Sequence, residues 1–119
     1  MVENRISEDT VKEIYDFVKV RNWSQFHNPK DLAVSISLEA AELLETFQWS
    51  GADLDVVQKK AAMEEELADV MIYCVLMSKA IGANMDEIIM NKLVGNGKKY
   101  PINKAYGNSA KYTDLEEQQ

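Results

Sequence analysis

Cysteine and histidine occur once each in this chain, as Cys74 and His27. A lone cysteine closes no intramolecular disulfide, and its apolar neighbours predict a buried thiol. Long apolar runs are absent too. The longest, Val70 to Met77, is far short of the roughly 20 residues that span a membrane. Met1 to Arg5 is polar, and no apolar stretch of a signal peptide follows it. A reducing, cytoplasmic compartment and no membrane contact are the expectations. Positive charge is also scarce: 13 Lys and Arg stand against 20 Asp and Glu, for a formal net charge of −7. That excludes a general basic surface for a nucleic-acid polymer. No glycine-rich phosphate loop, long-period repeat, low-complexity segment or convincing strand pattern is present.

What is present is helical. The 119 residues are 46% hydrophobic and 28% charged, which predicts one globular all-α domain over 1–119. Ser7 is a good N-cap with Glu8 and Asp9 in the first turn. Val11, Ile14, Tyr15 and Val18 then repeat at helical spacing, so a first helix is expected over about 8–21. Asn28-Pro29 reads as N-cap and first position of a second helix, running to about Trp49 before Ser50-Gly51. A third is expected from about Gln58 to Ile81, with Gly82 after it. Asn84 and Glu87 form a capping box for a fourth over about 85–95, stopped by Gly95-Asn96-Gly97. From Lys98 to the end, with Pro101 and Gly107, an extended C-terminal arm is expected.

Two of these helices carry paired acids. Glu39 and Glu42 on the second, and Glu66 and Asp69 on the third, each share a helix face through i, i+3 spacing. At about 100° per residue from Leu32, Glu39 falls near 340°, inside the stripe of Ile36 and Leu43, and Glu42 lies on its edge near 280°. Val34, Leu38 and Ala41 form a second apolar side, so the helix is covered on both sides and Glu39 is kept from bulk water. On the third helix Glu66, Asp69 and Tyr73 form a polar seam beside the stripe Met63, Leu67, Val70, Cys74, Met77 and Ile81, and Glu64 faces away. That helix is apolar nearly all round, which predicts a second subunit on one side.

A Glu-x-x-Glu pair taken alone is more often a solvated helix face. Two pairs bordering apolar stripes are different. At about 4 Å two like charges repel by roughly 4 kcal/mol at an effective dielectric near 20. A cation would turn that penalty into binding energy. An all-oxygen donor set suits Mg²⁺, or Mn²⁺ in its place, and not zinc or blue copper. The Glu-x-x-His pairs of ferritin-like di-iron bundles are absent, since His27 lies off both motifs. Oligophosphate is the substrate class such a site suits, because a bound cation lets an anionic chain approach.

Two further features are open to two readings each. Between Ile88 and Thr113 there is no acid, but there are Lys92, Lys98, Lys99, Lys104 and Lys111. That segment fits a small anionic ligand or a solvated tail. Trp23, Phe26 and His27 precede the second helix, and Phe47-Gln48-Trp49 end it. Such rings stack on a base or pack as core and interface.

Taken together, the motifs look like a known family. Glu39-x-x-Glu42, then Glu66-x-x-Asp69 after a gap of 23 residues, resembles the signature of the all-α nucleoside triphosphate pyrophosphohydrolases of the MazG-type superfamily. Adding Trp23-Ser24-Gln25-Phe26-His27-Asn28-Pro29, Phe47-Gln48-Trp49, Glu65-Glu66-Leu67-Ala68-Asp69-Val70, Tyr100-Pro101 and Lys111-Tyr112-Thr113-Asp114, the set resembles the single-domain dCTP pyrophosphatase branch over about residues 8 to 115. The resemblance implies a four-helix MazG-like bundle working as a homo-oligomer, a dimer or dimer of dimers. It implies Mg²⁺-dependent cleavage of a dNTP to dNMP and pyrophosphate. Glu39, Glu42, Glu66 and Asp69 would be the catalytic metal ligands. Trp23, His27, Trp49 and Tyr73 would line the nucleoside pocket, with Lys92 and Asn96 near the phosphates. That branch carries a histidine in its first helix where this chain has Ile14, which implies a broader range that includes dATP or modified pyrimidines. The reading of a different class is a non-catalytic helical interaction or regulatory module.

Overall fold

The computed structural model describes residues 4–116. Part of the polar start read above (1–3) and the end of the expected arm (117–119) lie outside the described residues. Among the described residues the chain is all-α. Its helices are α1 (Glu8–Val20), α2 (Pro29–Glu45), α3 (Lys60–Ala80), α4 (Met85–Lys99), α5 (Ile102–Ala105) and α6 (Tyr112–Glu116), with single 3₁₀ turns at Ser24–Phe26 and Val57–Lys59. No helix among them is long and apolar enough to cross a membrane. The chain divides into two compact units, Met1–Gly82 and Ala83–Gln119.

In the first unit both other long helices pack on α3, and α2 runs along most of it. The centre of the packing is Val18 from α1, Leu32 from α2 and Leu76 from α3, with Ile14, Tyr15, Tyr73 and Met77 against them. Local chemistry sets the ends of each helix. Ser7 Oγ accepts from the Thr10 amide at the start of α1, and Asn28 Oδ1 accepts from the Asp31 amide at the start of α2. Gly82 lies past α3 at φ +68°, and its amide donates to the Lys79 carbonyl.

α2 stops four residues short of the expected Trp49. The amides of Phe47 and Gln48 donate to Leu44 and Glu45, and the hydroxyl of the buried Thr46 donates to the Leu43 carbonyl at 2.7 Å. These three-residue spacings wind the chain too tightly for an α-helix. Trp49 then takes a left-handed φ of 67°.

Burial on α3 departs from the expected stripe. Val75 and Leu76 are the buried residues, whereas Leu67, Cys74 and Ile81 are exposed. The thiol expected to be buried is therefore exposed. A helix apolar on several sides has no periodicity that selects the side covered by its own chain.

In the second unit Asn84 Oδ1 caps α4 by accepting from the Glu87 amide. α4 runs through Gly95-Asn96-Gly97 to Lys99 rather than stopping at the glycines. Two glycines cost a helix only about 1 kcal/mol each. The stop is Pro101, which drives Tyr100 out of the helical region to φ −124°, ψ 66°. The expected extended arm is folded in part, as α5 and α6. Tyr112 of α6 meets the Tyr100 ring edge-on at 6.1 Å, with Lys99 Nζ 4.9 Å from the Tyr112 ring centre.

Candidate active site

The packing of α2 along α3 joins carboxylates that are distant in sequence. Glu39 and Glu42 stand one turn apart on α2, and Glu66 faces them from α3. One carboxylate oxygen from each lies within 4.8 Å of the other two. Glu39 and Glu66 are half-buried and Glu42 is exposed. Asp69, one turn beyond Glu66, is exposed and stands outside this group, although its charge acts on both Glu39 and Glu66. Glu64 turns away and pairs with Lys60 at 3.6 Å.

The electrostatics are those of crowded anions. Oε2 of Glu39 and Oε2 of Glu66 are both buried with no hydrogen-bond partner. Burial, then the neighbouring Glu42, pushes the Glu39 carboxyl above its ordinary value. Hydrogen bonding to Glu42, burial and the charges of Glu42, Glu39 and Asp69 push Glu66 up to about 7. Two orphaned buried carboxylate oxygens in a converging set are what a hard divalent cation satisfies, so these residues fit such an ion.

A cavity of about 520 Å³ adjoins the cluster through Asp69. Ile14, Phe17 and Val18 of α1 and Met71, Ile72 and Val75 of α3 make its apolar walls. Trp23, His27 and Tyr73, all expected in a nucleoside pocket, line it as well. The end of α1 aims Trp23 there. Asn22 takes the left-handed φ of 54°, and the amides of Asn22 and Trp23 donate to the carbonyls of Lys19 and Val18. This double bond pattern ends a helix and folds the next side chain back on it. The Trp23 ring accordingly meets Phe17 edge-on at 5.8 Å, and the Arg21 guanidinium stacks 3.5 Å over the Phe17 ring. His27 also borders a smaller cavity of about 190 Å³ with Tyr15, Ser24 and Lys79.

Three expected site residues are not among those that line these cavities. Trp49 lines neither of these cavities and is 92% exposed. Lys92, exposed, and Asn96, half-buried, belong to α4 in the second unit. Thr10, Glu13, Phe17 and Ile72 line the larger cavity without having been singled out in the sequence. The signal for the first three was the helical spacing of Thr10, Glu13, Ile14 and Phe17, one face of α1.

Comparison with known proteins bears on the same residues. The model of the MazG-like family matches residues 34–115, which include all four acids of the two motifs. The dCTP pyrophosphatase 1 of Bos taurus is 33% identical over 118 residues, covering 92% of this chain and 70% of that protein. The dCTP pyrophosphatase 1 of Homo sapiens is 34% identical over 113 residues, covering 91% of this chain and 66% of that protein. This chain thus spans about two thirds of the length of the curated relatives it matches. The crystal structure of a pyrophosphatase from Archaeoglobus fulgidus superposes with a TM-score of 0.74 at 37% identity, over 85% of this chain and 97% of that one. On the strength of a match that runs from α2 to α6, with converging acids on α2 and α3, the chain belongs to the MazG-like family.

Proposed function

We propose that this protein is a nucleoside triphosphate pyrophosphohydrolase, a single domain over 1–119 that cleaves a dNTP to dNMP and pyrophosphate in the cytoplasm. The observation that carries this reading is the convergence of Glu39, Glu42 and Glu66, with two buried carboxylate oxygens lacking partners. The dCTP pyrophosphatase relatives and the pyrophosphatase neighbour support dCTP as the first substrate to test. Ile14 on the cavity wall supports a wider range, with dATP or modified pyrimidines included.

Glu39, Glu42, Glu66 and Asp69 would hold Mg²⁺, with Mn²⁺ as a substitute. When bound, the ion neutralises the triphosphate and polarises a phosphorus centre. The chain's own residues do the rest. A carboxylate of the set orients the attacking water and accepts its proton. Trp23, His27 and Tyr73 hold the nucleoside in the cavity beside Asp69. Lys92 and Asn96 contact the phosphates. Pyrophosphate release by the purified protein, with and without Mg²⁺, tests the reading across a panel of dNTPs and NTPs. Folded protein that releases none sinks it and leaves the interaction module.

The protein works as a dimer or tetramer. On α2, on α3 and just past the end of α3, Leu38, Leu44, Leu67 and Ile81 are 61%, 70%, 46% and 57% exposed in the single chain. Monomers seldom leave so many large apolar side chains in water unless a partner covers them. Light scattering is expected to report a dimer or tetramer, and a clean monomer at micromolar concentration would defeat the claim.

Trp49 joins the pocket of a neighbouring subunit in that assembly. Its 92% exposure within one chain leaves the ring available to stack on a base across an interface. Base stacking is worth on the order of 1–3 kcal/mol by alanine substitution. Trp49→Ala is therefore expected to raise KM for a dNTP about ten-fold, and to affect a base-free triphosphate much less. A well-folded variant with unchanged KM for every dNTP removes Trp49 from the pocket.

A further inference from the structure

We infer that Glu13 is a specificity-determining residue of the larger cavity, selecting bases that carry an exocyclic amine over those that carry a carbonyl in its place. The inference rests on the reading of that cavity as the nucleoside pocket. Glu13 stands on the face of α1 that also carries Thr10, Ile14 and Phe17, and all four line the cavity. The remaining walls are largely apolar, so the few polar side chains decide what a ligand must present there. Trp23, His27 and Tyr73 can each donate a hydrogen bond, whereas an ionised carboxylate only accepts.

Two carboxylates line the cavity, Glu13 from α1 and Asp69 from α3. Asp69 sits next to the acid cluster and acts on Glu39 and Glu66. Thr10 is engaged at the helix start, where its hydroxyl is 3.1 Å from Ser7 Oγ and its amide donates to the same oxygen. Among the described residues the Glu13 side chain makes no hydrogen bond or ion pair, although its charge acts on the neighbouring Lys12. It is the carboxylate left for the base end of a ligand whose phosphates lie toward Asp69.

Glu13 is exposed in the single chain, and an unpaired carboxylate lining a largely apolar cavity discriminates in two directions. Cytosine and adenine present an amine that donates to it. Uracil and hypoxanthine present a carbonyl oxygen at the same place, whose lone pairs face a negative charge and leave both acceptors unsatisfied. Sites built around one such hydrogen bond reject the analogue that lacks it more strongly than apolar pockets reject a change of size.

The test is kcat/KM for dCTP against dUTP, and for dATP against dITP, with wild type, Glu13→Leu and Glu13→Gln. The expected result is a wild-type preference of at least about ten-fold for the amine-bearing member of each pair. That ratio falls about ten-fold in Glu13→Leu. It falls less in Glu13→Gln, whose amide carbonyl still accepts. Far-ultraviolet circular dichroism and melting of each variant accompany the assay. A ratio unchanged in a folded Glu13→Leu overturns the inference, as does an equal loss on both members of a pair, which marks a structural role. Wild-type protein that hydrolyses none of the four nucleotides overturns the pyrophosphohydrolase reading itself and this inference with it.

Discussion

Glu39→Gln is expected to lower pyrophosphate release by at least about 100-fold while the fold persists. A carboxylate that holds a catalytic cation supports several kcal/mol of transition-state charge stabilisation, and each 1.4 kcal/mol is a factor of ten in rate. The amide keeps the shape of the side chain and removes its charge. In the protein without metal the same change relieves repulsion. Oε2 of Glu39 is buried without a partner, with Glu42 and Glu66 in the same group. An apo melting temperature equal to or above wild type is therefore expected beside the loss of activity. The two readouts move in opposite directions, which separates a lost ligand from a damaged fold. Turnover within a few-fold of wild type would remove Glu39 from the metal set.

The second large effect is on stability, as pH and Mg²⁺ vary together. Glu39 and Glu66 bind protons more tightly in the folded chain than in the unfolded one, since both are pushed above the ordinary carboxylate value of 4.5. Their contribution to stability is thus fully present below about pH 4.5. It is lost as pH rises through the folded value of Glu66, about 7. Without metal, melting is expected to fall across this window. Asp53 works the other way: its carboxylate accepts from the Val56 and Asp55 amides and is held below the ordinary range, so its part is present at higher pH.

Comparison of wild type with Glu66→Gln isolates the part of Glu66, because the variant loses that share of the falling slope and keeps the effects of Glu39 and Asp53. Divalent cation requires ionised carboxylates, so stabilisation by Mg²⁺ grows over the same pH window. At a hundred times its dissociation constant a bound ion adds about 2.7 kcal/mol, or on the order of 10 °C in Tm for a chain of this size. A melting temperature at pH 8 indifferent to millimolar Mg²⁺ and Mn²⁺ would defeat the metal assignment.

The sequence by itself determined the all-α class, the starts of α1, α2 and α4 and the two acid pairs. Each of these is local. Ser7, Asn28 and Asn84 cap because their side chains reach an amide three residues on, and that reach does not depend on distant packing. Glu39-x-x-Glu42 shares a face through helical geometry alone. Helix ends were less legible. α2 ends early where the backbone tightens at Thr46, and α4 passes through two glycines to stop before Pro101, so local propensities competed and the better backbone hydrogen bonds won.

Tertiary structure decided which apolar side of α3 is covered by its own chain, and so left Cys74, Leu67 and Ile81 exposed. It also decided that Glu66, rather than Asp69, closes the tight carboxylate group with Glu39 and Glu42. Both acids lie on one seam of α3, and periodicity cannot rank them. Only the height at which α2 crosses α3 does. The cavity has the same origin. Glu13 and Phe17 of α1 come to face Ile72 and Tyr73 of α3 across many intervening residues. No pattern within a single helix encodes that meeting, because it depends on how two helices pack and on the turn at Asn22 that brings Trp23 to the same cavity.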